Sequence, residues 1–405
     1  MSGTGTPRLY FDDPLLTRFE ARVLAHASLA GRPSVVLDRT AFYPEAGGQM
    51  ADRGMLAGAA IADVQVDDAD VVHHVLADGA TRPAPGAQVT GEIDRARRRV
   101  HMALHTGQHM LSRALLDEAG GETVSARLGE SLCTIDLGLS TVDEALVARA
   151  EALCNAVIDD DVRIRAFFPD AAELAALPLR RRPKVDENIR VIEIGGFDVS
   201  PCGGTHCTGS AQVGLVRVTG IERYKGMTRV SFAAGRRARD ELGAEAMALR
   251  GLARAMTCGA LDVPGAVEKL RADLGDARVQ LGQARAKMAE AAAGELVAAA
   301  RARGQRIVAA TWDGVEVDFL RAVAKRVVAE PGFVAFLAAR EGDAQKVLVT
   351  RSDKDSAFDC GSFLKAACAA SGGRGGGGRD RAEGRVPADA DWLALVAAHA
   401  IDLAV

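Results

Sequence analysis

Short alternating runs dominate the first quarter of the chain. Residues 19–25, 34–38, 61–66, 71–76 and 89–93 alternate apolar with polar positions or are rich in β-branched side chains, and Gly, Pro and Asp separate them. This pattern predicts a small β-barrel or sandwich over residues 1–95, interrupted by a glycine-bearing segment from Thr40 to Gly54. The period then changes. Apolar residues recur at helical spacing from Val100 to Leu116 and again over 143–158, between strand-like runs at 133–137, 162–168, 189–194, 214–221 and 228–232. Residues 96–238 therefore read as an α+β domain.

From 239 to 303 Ala, Leu, Glu, Arg and Gln take over, and Pro264-Gly265 breaks the stretch into two helices. Val267, Leu270, Leu274, Ala277, Leu281, Ala284, Met288 and Ala291 alternate by three and four, the seam of a coiled-coil hairpin or of a dimer contact. Residues 304–405 mix strands (306–310, 332–338, 346–351) with helices (318–328, 360–370) and read as an α/β unit. Near its end lies a glycine-rich run from Gly372 to Gly384, read as a loop. Its free amides and the side chains of Arg374, Arg379 and Arg381 suit a phosphate or RNA backbone. The fold class is thus α+β and multidomain.

Composition narrows the setting. The 405 residues are too many for one ordinary domain, and a hydrophobic fraction of 48% supplies real cores. The net charge of −4 gives no bulk attraction to nucleic acid, so any such binding needs local arginine clusters. Seven cysteines form no paired framework, which suits a reducing cytoplasm. No apolar stretch reaches membrane-spanning length, so no membrane partner is expected.

Two motifs carry the chemistry. His105-Thr106-Gly107-Gln108-His109 puts two imidazoles one turn apart on a helix, and Cys202-Gly203-Gly204-Thr205-His206 puts a thiol and an imidazole around a glycine turn. Together they offer a complete tetrahedral shell for Zn2+, drawn from distant segments as a folded domain would assemble it. His101, one turn before His105, and Cys207, beside His206, are further donors by position.

The segment from Thr40 through Phe42-Tyr43-Pro44-Glu45-Ala46-Gly47-Gly48-Gln49 to Asp52 and Gly54, followed by the two donor motifs in order, resembles the editing domain of alanyl-tRNA synthetases. The closing glycine-rich motif resembles their DHH-associated C-terminal domain, although this chain has Gly378-Arg379-Asp380-Arg381-Ala382 where the family often has Arg-Pro-Asp-Met-Ala. The resemblance covers nearly the whole chain and is closest to the freestanding alanyl-tRNA editing proteins (AlaX) in their long form. It implies a barrel-like domain at 1–95, a zinc-binding editing domain at 96–238, a helical hairpin at 239–303 and the C-terminal domain at 304–405.

It also implies an ATP-independent deacylase for tRNA(Ala) mischarged with serine, and also with glycine. Zn2+ would be held by His105, His109, Cys202 and His206. Thr40 would read the serine hydroxyl, Gln49 would shape the pocket, and Arg374, Arg379 and Arg381 would touch RNA. A homodimer through the 267–291 helix or the C-terminal domain is a further expectation. The reading set against it is a non-enzymatic RNA-binding protein that keeps a structural zinc.

Overall fold

The computed structural model describes residues 5–183, 185, 187–352 and 358–399. The chain is mixed α+β and divides into two compact units, residues 1–251 and 252–405.

The first unit starts with a closed barrel. Its strands are β1 (Arg18–Leu29), β2 (Arg32–Leu37), β3 (Gly54–Leu56), β4 (Ala59–Val66), β5 (Val72–Leu76) and β6 (Gln88–Ile93), in the order β1-β2-β5-β4-β3-β6, and β1 pairs with β6 to close the ring. In β1, Phe19, Ala21 and Val23 point into the barrel while Glu20 and Arg22 face solvent, the two-residue period of a half-buried strand. Strand β3 is too short for any alternation to show in the sequence. Gly54 is required there, because a Cβ would stand 2.0 Å from the Glu92 carbonyl oxygen on the paired strand.

Helix α1 (Arg95–Ala119) follows, capped by the Asp94 side chain at the Arg97 amide and stopped by Gly120 in the left-handed region. Next come β7 (Thr123–Leu128), β8 (Cys133–Leu137), α2 (Glu144–Asp159), β9 (Ile164–Phe167), α3 (Ala171–Ala176), β10 (Val191–Ile194), β11 (Asp198–Pro201), β12 (Val216–Tyr224), β13 (Met227–Ala234) and α4 (Gly235–Ala255). Strands order as β12-β13-β8-β7 in one sheet and β11-β10-β9 in another. Met110, Leu111, Leu115, Ile135, Ile192 and Phe232 belong to one core that joins α1 to both sheets.

In the second unit, α5 (Val263–Ala302) takes Pro264 in its first turn, where a missing N–H costs nothing. Strands β14 (Ile307–Asp313), β15 (Val334–Glu341), β16 (Ala344–Arg351), β17 (Arg374–Gly377) and β18 (Arg381–Pro387) form a sheet ordered β14-β15-β16-β18-β17. Helices α6 (Val317–Val327), α7 (Cys360–Ser371) and α8 (Trp392–His399) complete the unit. Along β15, Ala335, Leu337 and Ala339 join the core of α5 and α6, while Val334, Phe336 and Ala338 join the core of α7 and α8. Both faces are covered, so the strand is apolar from Val334 to Ala339.

Two expectations change. The glycine-rich run is no loop: β17 and β18 make an antiparallel hairpin. Its glycines are there for contact, since a Cβ on Gly377 would stand 2.4 Å from Ala382 Cα, and one on Gly361 of α7 would stand 2.6 Å from the Gly377 carbonyl. The α5 seam does not close as a hairpin among the described residues, where Leu270, Leu274, Leu281 and Met288 stay 50–61% exposed, and this bears on the hairpin and not on a dimer contact. Burial falls instead on Ala289, Ala293, Val297 and Ala300, where α6 and the sheet supply a facing surface. Among the described residues no helix is long and apolar enough to cross a membrane.

Candidate metal centre

Helix α1 brings the first two donors together. His105 and His109 lie one turn apart with ring centroids 5.1 Å from each other. Every residue from His101 to Ser112 is buried, so the helix is enclosed on all sides. The second pair follows β11. Arg190 pins that turn, donating from Nη1 to the carbonyls of Cys202 (3.0 Å) and Gly204 (2.8 Å), and its own carbonyl accepts the Cys202 amide at 2.9 Å. A Cβ on Gly204 would stand 2.1 Å from His105 Cε1, so only glycine lets the imidazole rest against this turn.

The four donor atoms of His105, His109, Cys202 and His206 lie within 4.8 Å of one another. Cys202 Sγ is 3.4 Å from the Nε2 atoms of both His105 and His206. Behind each ring stands a polar atom. Gln49 Oε1 is 2.7 Å from His105 Nδ1, Thr106 Oγ1 is 3.2 Å from His206 Nδ1, and Asp198 Oδ2 is 3.5 Å from His109 Nδ1. Hydrogen bonds at Nδ1 set His105 and His206 so that the other nitrogen of each is free for an ion, while Asp198 stands beside His109 Nδ1 at ion-pair distance without a hydrogen bond. Three imidazoles and a thiolate so arranged fit a tetrahedral metal.

The electrostatics agree with this fit. Burial alone would raise the Cys202 thiol, but the surrounding imidazoles outweigh it and hold the pKa well below the ordinary range. Burial and His105 push His206 down to about 3. Burial opposes ionisation of Asp198, yet His109 and Arg180 more than compensate, and Arg180 Nε donates to it at 2.7 Å.

Gln49 reaches the site through a tight turn. Ala46 and Gln49 exchange backbone hydrogen bonds at 3.2 and 2.9 Å around Gly47 and Gly48, whose φ values of 58° and 86° are natural only to glycine. A Cβ on Gly48 would also meet the Ala126 carbonyl oxygen at 2.7 Å. The far end of the segment is anchored by Asp52. It accepts from the Tyr43 amide at 2.7 Å and from Arg98 Nε at 3.1 and 3.0 Å, and Arg98 and Asp52 are each 1% exposed. Gln49, itself fully buried, then accepts from the Thr205 amide (3.1 Å) and donates to the Thr205 hydroxyl (2.7 Å), tying barrel segment, α1 and the Cys202 turn together.

The cluster opens on a cavity of about 880 Å3 lined by His105, Cys202, Gly204, Gly47, Gly48 and Tyr43 among others. Thr40 does not line it. The Thr40 hydroxyl accepts from the Phe42 amide at 3.0 Å and lies 2.8 Å from His74 Nε2 inside the barrel. His101 is also outside the donor set, and it borders a second cavity with Arg97, Arg236 and Arg237. Cys207 is buried with its thiol raised to about 11 by burial. Arg374, Arg379 and Arg381 are exposed in the second unit, where Arg379 pairs with Asp359 at 3.7 Å and Arg381 pairs with Glu383.

Sequence reasoning missed the residues behind the ligands: Asp198, Thr106, Thr205, Arg190 and the Arg98–Asp52 pair. Thr106, Thr205 and Asp52 stood inside the motifs without a role assigned to them, and Asp198 and Arg190 left no signal in the sequence. It also missed a Ser34–His73–Asp67 chain, with contacts of 3.0 Å on each side of the ring. Ser34 is fully buried in the barrel wall, so that chain presents no nucleophile.

Two family models match: tRNA synthetases class II (A) over residues 17–97, and the threonyl and alanyl tRNA synthetase second additional domain over 189–231. The chain is 32% identical over 362 residues to an alanine–tRNA ligase of Halorubrum lacusprofundi, covering 86% of this chain and 37% of the ligase. It is 33% identical over 238 residues to the alanyl-tRNA editing protein AlaX-L of Pyrococcus horikoshii, covering 57% and 58% of the two chains. A Pyrococcus abyssi alanine–tRNA ligase is 29% identical over 94% of this chain and 42% of its own length. The chain thus spans from about two fifths to under two thirds of these relatives.

Proposed function

We propose that this chain, similar to alanyl-tRNA editing proteins and to alanine–tRNA ligases, hydrolyses the aminoacyl ester of mischarged tRNA(Ala) at the His105–His109–Cys202–His206 centre, seryl-tRNA(Ala) before glycyl-tRNA(Ala). The observation that carries this reading is the convergence of four metal donors, two of which, His105 and Cys202, line one open cavity. The relatives' printed names and the two synthetase domain models support the same substrate class.

The chemical need is plain. A pocket shaped for alanine cannot exclude glycine and rejects serine weakly, because such differences supply only about 1–3 kcal/mol. A second site that demands a hydroxyl can do better, since alanine would leave its polar partner unpaired.

Zinc held by the four donors would give the aminoacyl end and the attacking water a fixed point, and would polarise the ester carbonyl if one donor loosened to open a position. The protein's own groups supply the rest. Gln49 and Thr106 hold the His105 and His206 rings in one tautomer and orientation, and the Asp198 carboxylate supplies negative charge beside His109. Cys202, its thiol low, serves as a ligand and not as a nucleophile, so water attacks the ester directly and no acyl-enzyme forms. Thr40 is the residue assigned to reading the serine hydroxyl. Thr40 is fully buried off the cavity wall and shares its hydroxyl with His74, so direct contact with substrate requires the segment to move as well as that bond to open. On the second unit, exposed Arg374, Arg379 and Arg381 are the proposed RNA contacts.

One observation favours a second reading. Four protein donors would fill a tetrahedral shell, as structural sites do, leaving an RNA-binding protein without chemistry. Hydrolysis of seryl-tRNA(Ala) and alanyl-tRNA(Ala) by wild type, Cys202→Ala and Thr40→Val separates the two. Editing predicts rapid loss of the seryl ester alone, abolished by Cys202→Ala, with Thr40→Val narrowing the seryl-to-alanyl ratio while keeping its metal. Metal-loaded wild type that hydrolyses neither ester would establish the structural reading.

A further inference from the structure

The donor end of the cavity is closed by buried residues such as Tyr43, His105 and Gly204, and its rim is different. Val124, Phe168 and Val185 all line the cavity and are 61%, 52% and 58% exposed. Phe168 meets Phe11, another lining residue, edge to face at 5.7 Å and 69°. That geometry spends the edge of one ring and leaves aromatic surface of Phe168 uncovered. An exposed aromatic pair beside further apolar side chains marks a binding surface.

The charge around it is positive. Arg8, Arg181, Arg182 and Arg190 line the same cavity, against Asp70 and Glu187. Asp70 is already taken by Arg8. Arg182 has no ion pair or hydrogen bond among the described residues, and Arg181 holds only the Pro201 carbonyl, at 3.1 Å. Arg190 is 5% exposed, stands over the Phe11 ring at 5.0 Å, and is bonded to carbonyls with no carboxylate among the described residues. The charges of Cys202 and Asp12 partly offset the burial of Arg190, so the free positive charge of this wall is that of the exposed Arg181 and Arg182, which suits a negative group.

We propose that the Phe11–Phe168 shelf, flanked by Arg181 and Arg182, seats the terminal nucleotide of a single-stranded RNA 3′ end, its base stacked on Phe168 and its phosphate facing the arginines. The occupant has to be flat and apolar on its faces yet joined to an anion, and a nucleobase on a phosphodiester chain has both properties. A paired duplex would not offer a free base face, whereas an unpaired end does. The assignment rests on the editing reading for what the nucleotide carries, because a base seated at the rim would lead its 3′-linked aminoacyl group toward Cys202 and His105. Phe168 is on this account a residue that selects RNA-borne esters over free amino-acid esters.

The test compares wild type, Phe168→Ala and Phe168→Trp on a seryl ester carried by a short RNA ending in adenosine and on seryl methyl ester. Phe168→Ala should lower the ratio of kcat/KM for the RNA ester over the methyl ester by about tenfold, through KM, and Phe168→Trp should restore it. An unchanged ratio overturns the shelf. Should wild type hydrolyse neither ester, the editing reading fails and the shelf is judged by binding alone. Fluorescence anisotropy of a labelled CCA trinucleotide against the same strand with an abasic 3′ end should show a base-dependent gain that Phe168→Ala removes. Equal binding of the two strands would overturn it.

Discussion

Thr40 and Gln49 stand at the two ends of one glycine-bearing segment, both fully buried, and each hydrogen-bonds a histidine. In the barrel wall, His74 has both nitrogens engaged: Nε2 with Thr40 at 2.8 Å and Nδ1 with the Val35 carbonyl at 3.0 Å. At the metal centre, His105 has Nδ1 held by Gln49 at 2.7 Å and Nε2 turned toward Cys202. The difference teaches where chemistry can occur. A ring whose two nitrogens are bonded within the protein is structural, and a ring anchored at one nitrogen with the other facing three more donors is ready for an ion.

The largest test of that contrast is Gly204→Ala. The new methyl would collide with the His105 ring, so metal affinity should fall by more than about 100-fold while the barrel still folds. Metal analysis together with circular dichroism checks it, and full metal occupancy would mean that the ring is not held where the structure puts it. Gln49→Leu is milder. It keeps the ligand but removes the acceptor at Nδ1, and about 10–100-fold weaker metal binding is expected in competition with a chelator. Thr40→Val, at the other end, should leave metal affinity as it was.

The barrel-wall half of the contrast is tested through pH. Burial lowers His74 to about 4 from an ordinary 6.5, so it stays neutral in the fold while the unfolded chain takes up a proton. Its stabilising share is therefore full above about pH 6.5 and lost as pH falls toward 4, about 3 kcal/mol at most. In His74→Gln, urea midpoints between pH 4 and 6.5 should depend less on pH than in wild type. Parallel slopes would count against the neutral, enclosed ring.

The same contrast explains what could be read from the sequence. The four donors were legible because ligand spacing is local: i and i+4 on α1, and a short glycine turn after a strand. Barrel strands such as β1 showed in their two-residue alternation. Asp198 behind His109 and Arg98 beneath Asp52 were not legible, because each acts across the fold on a partner that only the assembled unit supplies. Gly372–Gly384 misled for a related reason. Glycine signals permissive backbone, and whether that permits a loop or a closely packed hairpin depends on α7 lying against it. The α5 seam had the right period, but a period does not say which stretch finds a surface to cover it.

The central claim is that four donors hold one ion and that ester hydrolysis depends on it. Metal-free protein should be titrated with zinc while hydrolysis of seryl-tRNA(Ala) is followed. The account predicts activity that rises in proportion to zinc and breaks at one equivalent per chain. Metal-free protein as active as the loaded form, or tight binding of one equivalent with no hydrolysis, would contradict it.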